Sequence, residues 1–254
     1  MELKTKADRL KPSEPHPVLP EYYQDQAQRP AFIRGLFDRT ARHYDRINRL
    51  LSLGSGGWYR RRALLQAGLR PGMRVLDVAT GTGLLARQAV QVTGNPGAVI
   101  GLDVSTGMLA EARRTLPISL IQGAVEQLPL AAASIDFLTM GYALRHVADL
   151  NAAFQEFQRV LRAPGTLLIL EISRPPAGLH RTLLSCYLGR VIPWLSRWTT
   201  GQQEAQTLMR YYWETIERCV PPETILQAIA NAGFAEVSGH VEFGLLRVYI
   251  GRKV

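Results

Sequence analysis

Hydrophobic and polar positions follow two different periodic patterns in two successive parts of this chain. Between residues 34 and 68, apolar side chains recur every three or four residues, which predicts an amphipathic helix or helix pair and then a shorter helix. From residue 74 to residue 172, short apolar runs alternate with helix-like segments. The runs that predict strands are "RVLDVAT", "AVIGLDV", "SLIQGAV", "SIDFLTMGYA" and "TLLILEI". Repeated strand–helix–strand units predict an α/β fold with a mostly parallel sheet and helices on both faces.

Both ends of the chain depart from this rhythm. Residues 1–30 are rich in Pro, Glu, Gln and Lys without periodicity, so we expect a flexible arm. After Glu171, a long aromatic and basic stretch precedes two helical patterns and two strand-like runs, which bring the expected sheet to seven strands. We expect a single domain over residues 31–254. Its expected parts are a helical cap (31–70), a sheet core (71–175), a helical lid (176–220), and a C-terminal helix with a strand pair (221–254).

The chain carries an excess of positive charge, with a formal net charge of +9 and a pI near 9.9. Such a charge suits a nucleic acid, an anionic membrane surface or an anionic substrate. We find no base-reading motif and expect no nucleic-acid partner. The compact cluster Arg60-Arg61-Arg62 lies beside Trp58 and Tyr59, which suits peripheral contact with a membrane. A solvated surface of excess arginines is the simpler alternative.

Targeting and redox features favour a cytoplasmic protein. No apolar run reaches the ~18 residues that span a bilayer, and the N-terminus lacks the apolar core of a signal peptide. Cys186 and Cys219 form no CxxC or Cys/His cluster, so we expect neither a disulfide scaffold nor a metal site. We therefore expect a cytoplasmic location, with membrane association as a variant of it. The oligomeric state stays open, a homodimer included.

The stretch "VLDVATGTGLL" is the candidate ligand site. Gly81-x-Gly83-x-x-Ala86 matches the turn that binds dinucleotides, and Asp103 ends the second predicted strand, where a ribose-binding acid belongs. Glycines let the backbone approach a ligand, which should lie beyond the carboxyl ends of the strands. Both a dinucleotide and S-adenosylmethionine satisfy this pattern.

Three features favour S-adenosylmethionine over NAD. Asp77 lies within the first strand, where a carboxylate repels a pyrophosphate but not a ligand with an ammonium and a sulfonium. Met108 follows Asp103 at a position suited to packing against an adenine face. The fourth strand begins with an acid and runs into a polar loop that contains His146. An NAD-dependent oxidoreductase is the remaining alternative.

The segments "VLDVATGTG", "GLDVSTGML" and "SIDFLTMGYALRHVADLNAAFQEFQRVLRAPGTLLILEISRP" resemble the motifs of class I methyltransferases. That resemblance implies a Rossmann-like fold and S-adenosyl-L-methionine as the cofactor of the 71–175 core. More closely, the chain resembles the ubiquinone/menaquinone biosynthesis C-methyltransferases. "FDRTARHYDRINRLLSLGSGGWYRRRAL" and "YYWETIERCVPPETILQAIANAGFAEV" are similar to that family too, so the resemblance covers residues 34–252.

The glycine turn, Asp77 and Met108 are cofactor contacts expected from the residues themselves, and the resemblance adds further ones. It implies that Thr82 and Asp103 contact the cofactor, and that Tyr44 closes over it, where the ring favours a sulfonium by a cation–π contact. A core aromatic on an amphipathic helix is an equal alternative for Tyr44. The complete set of expected contacts is Tyr44, Asp77, Gly81, Thr82, Gly83, Asp103, Met108, Ala124, Val125 and Gly141.

Several positions depart from the family pattern. Ala79 stands where the family usually has a glycine, and Leu84 stands where it often has an acid. Ala124 replaces the Asn or Asp expected near the adenine, and the neighbouring Glu126 is a candidate to recognise the adenine instead. The family's Gly-Leu-Arg-Asn-Val appears here as residues 143–147, "ALRHV", and the closing glycine pair as "EFGLLRVYIG". These last changes fall where the acceptor should bind.

The reaction implied is an in-line methyl transfer, with the nucleophile held ~3–3.5 Å from the methyl carbon. A phenol or hydroquinol acceptor must also lose a proton, and His146 is the candidate base because its unperturbed pKa is near neutral. A structural role at a helix start is an equal alternative for His146. Arg145 is the candidate for stabilising a phenolate. Arg210, Tyr211 and Tyr212 are candidates for lining the acceptor pocket, although "RYYW" also suits simple packing.

These inferences predict an enzyme that methylates a small aromatic, quinol- or phenol-like acceptor, with or without a lipid tail, at carbon. The alternatives are O- or N-methylation of a specialised metabolite, an NAD-dependent oxidoreductase, and a catalytically retired cofactor-binding scaffold. The altered loop "YALRHV" motivates the last of these. The segment 183–198 is expected to form either an acceptor lid at a membrane edge or a buried core helix.

Overall fold

A computed structural model describes residues 13–52, 54–174 and 203–254. Seven strands form one sheet in the order β3-β2-β1-β4-β5-β7-β6. They are β1 (Val75–Val78), β2 (Val99–Asp103), β3 (Ser119–Gln122), β4 (Ile135–Gly141), β5 (Leu161–Ile172), β6 (Ala235–Glu242) and β7 (Leu246–Lys253). The first five strands run parallel, and β7 lies antiparallel between β5 and β6. The predicted α/β fold with a mostly parallel, seven-stranded sheet is confirmed.

Seven α-helices accompany these strands in the described ranges. They are α1 (Arg29–Leu51), α2 (Gly56–Gln66), α3 (Leu84–Thr93), α4 (Thr106–Thr115), α5 (Leu150–Val160), α6 (Gln203–Arg218) and α7 (Pro222–Asn231). A short 3-10 helix, Leu144–His146, follows β4. Within the same ranges, no helix combines the length and apolarity needed to cross a membrane.

The core lies on both faces of the sheet. Every residue of β1 is buried, as expected for a central parallel strand covered from both sides. Side chains of α5 and α7 pack on one face, and those of α2 and α3 pack on the other. A third apolar cluster joins α1 to α6. Because Asp45 of α1 contacts the turn after β1, this third cluster covers the carboxyl end of that strand.

The flexible arm expected over residues 1–30 is wrong for the part that the structure describes. From Ser13 onward the chain packs on the domain, with Leu19 fully buried and Tyr23 nearly so. The Ser13 carbonyl accepts a hydrogen bond from the Leu150 amide at 2.8 Å. Composition missed this contact because two or three apolar anchors suffice to hold a polar segment that has no periodicity. The first twelve residues lie outside the described chain.

Two element boundaries also differ from the sequence pattern. Helix α1 is one continuous helix, the first of the two predicted alternatives, and it begins at Arg29 rather than near residue 34. Strand β5 begins at Leu161, ahead of the predicted run "TLLILEI", and so includes "APG". Leu161 pairs with Ile135 before a shift in the register of β4 and β5, so the irregular residues lie within a bulge. The segment 183–198 lies outside the described residues.

Candidate active site

The chain leaves β1 through a turn whose residues adopt left-handed backbone angles. Ala79, Gly81 and Gly83 have φ values of 51°, 56° and 84°. A Cβ on Gly81 would meet no atom within 4 Å, and this residue borders a large cavity. A Cβ on Gly83 would instead clash with the Leu116 side chain. Gly81 is therefore open to a ligand, whereas Gly83 is required for packing and does not border the cavity.

Asp77 holds this turn together from beneath. Its carboxylate accepts hydrogen bonds from the Thr139 hydroxyl at 2.7 Å, the Thr80 hydroxyl at 2.6 Å and the Ala86 amide at 3.1 Å. Burial raises the pKa of Asp77 to about 6, against the lowering effect of these hydrogen bonds. The side chain is 1% exposed and does not reach the large cavity. It does line a small third cavity, of about 30 Å³, beside the glycine turn. Its hydrogen bonds position that turn, and its expected contact with the cofactor stays a prediction.

Asp103 lies at the end of β2 and borders the same cavity. Its Oδ2 accepts a hydrogen bond from the Gly81 amide at 2.7 Å, and its Oδ1 accepts one from the Ser105 amide at 2.8 Å. These two bonds fix the orientation of the carboxylate. Burial, with a smaller contribution from Asp38, raises its pKa to about 6. Both bonds lower the pKa and partly oppose that shift.

The cavity beside Asp103 has a volume of about 480 Å³, within the usual range of small-molecule sites, about 300–1,000 Å³. It runs across the carboxyl ends of β1, β2 and β4. Glu126 also lines it, and its carboxylate accepts a hydrogen bond from the Ala148 amide at 2.7 Å. Seven of the ten expected cofactor contacts line this cavity: Tyr44, Gly81, Asp103, Met108, Ala124, Val125 and Gly141.

Thr82 does not line this cavity. Its hydroxyl donates a hydrogen bond to Asp45 of α1 at 2.5 Å, and its side chain is 3% exposed. Asp38, about two turns before Asp45 in α1, accepts hydrogen bonds from the Ser105 hydroxyl at 2.6 Å and the Gly107 amide at 2.8 Å. These hydrogen bonds hold α1 over the glycine turn. Thr82 also lines the small third cavity beside that turn, and its expected contact with the cofactor stays a prediction.

A second cavity, of about 370 Å³, lies next to the first and is lined mostly by apolar and aromatic side chains. Tyr44, Tyr142 and Tyr212 belong to the walls of both cavities. The hydroxyls of Tyr44 and Tyr212 lie 2.9 Å apart and share a hydrogen bond. Burial raises the pKa of Tyr142 to about 12. The residues that complete the second cavity come from α1, α2, α6 and the β6–β7 hairpin.

Arg60 supplies a positive charge to the wall of the second cavity. It is 7% exposed, and its guanidinium lies 5.3 Å above the Tyr142 ring. Its Nη2 donates a hydrogen bond to the Asn48 side chain at 3.1 Å. Within the described ranges no carboxylate pairs with it. The sequence analysis placed Arg60 in a basic surface cluster, although its spacing from Tyr59, Ala63 and Leu64 marks the buried face of α2.

Arg145 has a different environment from the one its predicted role requires. Its guanidinium is fully buried and donates hydrogen bonds to the Glu171 carboxylate at 3.1 Å and the Thr215 hydroxyl at 3.1 Å. Further donors reach the carbonyls of Tyr142 and Tyr212. Arg145 lines the second cavity, but these protein partners occupy its donors. The phenolate-stabilising role is therefore not supported, and Arg145 ties the loop after β4 to β5 and α6.

His146 lies in the wall of the first cavity, surrounded by the rings of Phe37, Tyr211 and Tyr212. Neither ring nitrogen has a hydrogen-bond partner among the described residues. Burial, followed by the charges of Arg145 and Arg29, holds its pKa well below the usual value near 6.5. The imidazole is therefore neutral at physiological pH, and its role as a base stays a prediction.

The three residues of α6 that were candidates for lining the acceptor pocket lie in three different environments. Tyr212 lines both cavities, as expected. Tyr211 is fully buried behind His146, with the two rings stacked at 5.5 Å, and borders neither cavity. Arg210 is exposed and borders neither cavity. Consecutive helix positions point about 100° apart, so a run of three residues cannot all face one pocket.

Comparison with known proteins identifies the family of this chain. The model of the ubiE/COQ5 methyltransferase family matches residues 24–253. The chain belongs to the ubiE/COQ5 methyltransferase family. The enzyme named Ubiquinone/menaquinone biosynthesis C-methyltransferase UbiE from Coxiella burnetii is 32% identical over 229 residues, which cover 87% of this chain and 90% of that relative. The protein of the same name from Shewanella sp. (strain ANA-3) is 31% identical over the same shares.

Solved structures of other methyltransferases share the fold of this ubiE/COQ5 family member. A SAM-dependent methyltransferase from Thermotoga maritima has a TM-score of 0.61 and 20% identity, covering 87% of this chain and 99% of that one. Phosphoethanolamine N-methyltransferase 2 of Haemonchus contortus, in complex with S-adenosyl-L-methionine, has a TM-score of 0.55 and 16% identity, covering 77% of this chain and 52% of that one. The predicted Rossmann-like methyltransferase fold is confirmed.

This member of the ubiE/COQ5 family is therefore an S-adenosylmethionine-dependent methyltransferase, and the NAD alternative does not hold. The first cavity fits that cofactor. Asp103 offers an oriented carboxylate to ribose hydroxyls, while Met108 and Val125 offer apolar walls to a flat base. Gly81 leaves room for close approach of a ligand to the backbone. These groups suit an adenosine moiety even though position 124 carries an alanine instead of Asn or Asp.

A first prediction concerns the pH dependence of cofactor binding. Only the ionised Asp103 carboxylate offers both oxygens as acceptors, and its pKa is about 6. We therefore expect the affinity for S-adenosylmethionine to be constant above pH 7 and to fall below pH 6, by up to about tenfold per pH unit. Isothermal titration calorimetry from pH 5 to pH 8 measures this.

The control for that titration is Asp103→Asn. We expect weaker binding at pH 7.5 and no step near pH 6, because the titrating group is gone. Asp77, whose pKa is also about 6, remains in this variant. An unchanged step in Asp103→Asn would therefore assign the pH dependence to another group and contradict the prediction.

Proposed function

We propose that this enzyme methylates a ring carbon of a hydroquinol-like aromatic acceptor that carries an apolar tail. The observation that carries the proposal is the second cavity, which is mostly apolar, rich in aromatic side chains and adjacent to the cofactor cavity, with three tyrosines in the walls of both. A flat ring suits the tyrosine walls, and a tail suits the apolar remainder. The names of the curated relatives, which refer to ubiquinone and menaquinone, agree with such an acceptor.

Carbon methylation requires an electron-rich acceptor ring. S-Adenosylmethionine supplies an electrophilic methyl group on a good leaving group. The ring becomes nucleophilic at carbon when a neighbouring hydroxyl is ionised. Arg60 is placed to favour that ionisation, because it is a nearly buried cation at the second cavity with an amide oxygen and a tyrosine face as partners. A buried charge that lacks a carboxylate partner gains most from an anionic ligand.

His146 is the proposed acceptor for the proton that the ring carbon loses after methylation. Loss of that proton restores aromaticity, so a weak base suffices. The neutral imidazole has two nitrogens without protein partners in the described chain and lies in the cavity wall beside Tyr212, a residue common to both cavities. Because burial and the nearby arginines lower its pKa, the imidazole is unprotonated throughout the neutral range, so one of its nitrogens has a free lone pair.

A second prediction tests His146. We expect His146→Asn to lower kcat by about 10² or more, a typical contribution of a general base, and to change cofactor affinity by less than about threefold. The matched control is Tyr211→Phe, which keeps the ring stacked behind His146. Full turnover in His146→Asn would refute the base role and leave His146 as a packing residue.

The decisive experiment supplies the purified enzyme with S-adenosylmethionine labelled on its methyl group and a prenylated hydroquinol under reducing conditions. We expect the label on a ring carbon, located by mass spectrometry and NMR. The control acceptor already carries a methyl group at that carbon and should gain none. A label on oxygen or nitrogen, or no transfer to any hydroquinol, would refute carbon methylation and favour the alternative chemistries.

A further inference from the structure

An exposed aromatic and basic surface surrounds the outer end of the second cavity. Trp58 of α2 is 59% exposed, and Phe243 of the β6–β7 hairpin is 67% exposed. Their rings contact each other, with centroids 6.3 Å apart. Arg61, Arg62 and Leu65 are exposed on α2, at spacings of three, four and seven residues from Trp58, which place them on one side of the helix. We call these five residues the aromatic–arginine patch.

Phe243 occupies its position at an energetic cost. Its φ is 52°, and that of Gly244 is 69°, so both central residues of the hairpin turn have left-handed backbone angles. Asn-Gly is the preferred pair in such turns, whereas a bulky residue in the left-handed region is an outlier. An exposed aromatic ring on a strained backbone contributes little to folding. Such a residue at a loop tip is typical of a binding surface.

The patch is also the rim of the second cavity. Trp58 and Phe243 line that cavity while more than half of each side chain faces solvent. The mouth of the cavity is therefore bordered by these two rings. A tailed ligand bound in the cavity would leave it, or enter it, at the patch.

The electrostatics of the patch select an anionic partner. The Arg62 guanidinium lies 5.5 Å above the Trp58 ring and 5.9 Å from the Phe243 ring centroid. In the described part of the chain, neither Arg61 nor Arg62 forms an ion pair. The neighbouring acid, Glu242, is mostly buried and lies 3.4 Å from His240. Exposed aromatic rings flanked by unpaired arginines suit the interface of an anionic lipid layer.

We propose that the aromatic–arginine patch docks this enzyme onto an anionic lipid bilayer, with the mouth of the second cavity facing the acyl chains. Trp58 and Phe243 insert at the depth of the headgroups, and Arg61 and Arg62 contact lipid phosphates. A tailed acceptor then passes from the bilayer into the cavity without crossing water. That last step rests on the proposed function, whereas docking itself does not.

The test is co-sedimentation of the whole protein with lipid vesicles. We expect binding to phosphatidylcholine vesicles that contain one-third phosphatidylglycerol, and much weaker binding to phosphatidylcholine alone. Arg61→Gln with Arg62→Gln should weaken partitioning by about tenfold or more, at roughly 1 kcal/mol for each arginine near the surface. The charge-matched control is Arg113→Gln with Arg114→Gln, two exposed arginines on α4, which packs beside β3 at the other edge of the sheet.

The aromatic part of the patch has its own variant. Phe243→Asn places the preferred residue in the hairpin turn, so we expect equal or higher thermal stability together with about tenfold weaker vesicle binding. Because the variant folds at least as well as the parent, lost binding cannot be ascribed to unfolding. Unchanged binding of Phe243→Asn would overturn the insertion of this ring.

Failure of docking and failure of the proposed function give different results. The variant Arg61→Gln with Arg62→Gln should methylate a short-tailed, water-soluble hydroquinol at the parental rate but a long-tailed one in anionic vesicles more slowly. Absence of binding by the parent to anionic vesicles would overturn the proposal. So would sedimentation equilibrium showing that the parent is a dimer and that Phe243→Asn is a monomer. Neither result would contradict the proposed methylation, which is measured separately with the water-soluble acceptor.

Discussion

Arg145→Met is expected to lower the free energy of unfolding by about 3–5 kcal/mol. The substitution leaves the Glu171 carboxylate, which is 3% exposed, without its cationic partner. It also removes the hydrogen bonds that join the loop after β4 to the Thr215 hydroxyl and the Tyr212 carbonyl. Urea denaturation followed by circular dichroism measures the loss.

The control for this prediction is the double variant Arg145→Met with Glu171→Leu. Replacing both members of a buried ion pair by apolar residues removes the stranded charge, so we expect recovery of much of the lost stability. A single variant as stable as the parent would contradict the structural role. In that case the guanidinium would be free to stabilise a phenolate, the role expected for it from the sequence.

Arg60→Met is expected to lower kcat for a hydroquinol acceptor by about 10²–10³, the usual cost of losing one oxyanion-stabilising donor. The variant loses the cation above the Tyr142 ring but keeps apolar bulk on the buried face of α2. The optimum pH for turnover should also rise, because the acceptor hydroxyl ionises less readily without the nearby charge. Steady-state kinetics between pH 6 and pH 10 measure both effects.

Two further variants make this test specific. Arg60→Lys keeps the charge and should retain part of the activity, and the exposed Arg70→Met should behave as the parent. The affinity of Arg60→Met for S-adenosylmethionine should change by less than about threefold. A large loss of cofactor affinity with unchanged kcat would contradict the assignment and place Arg60 at the cofactor instead.

The alternation of strand and helix patterns was enough to predict the fold. The buried parallel strands are predominantly apolar, and helices such as α5 carry an apolar stripe that matches them, so local sequence carries the information. The glycine turn and Asp103 were also predictable. A ligand at the carboxyl ends of a parallel sheet imposes glycine and a carboxylate at fixed points of the first two strand–helix turns.

Roles that depend on partners distant in sequence were not predictable. Asp77 and Thr82 carry the residue types expected of cofactor contacts, yet they hold the turn to β4, α3 and α1. Arg145 and Arg60 are both arginines near aromatic residues. Only their tertiary partners distinguish an arginine paired with a carboxylate from one that faces a cavity without such a partner.

By itself, the sequence determined the sheet, the position of the glycine turn and the class of cofactor, because these follow from periodicity and from residues close together in the chain. The tertiary structure decided where a second cavity lies and which cation faces it. Its walls come from α1, α2, α6 and the hairpin around Phe243, which are separated by up to two hundred residues. Side chains so far apart meet only after the sheet has formed, because packing rather than local pattern sets their distances.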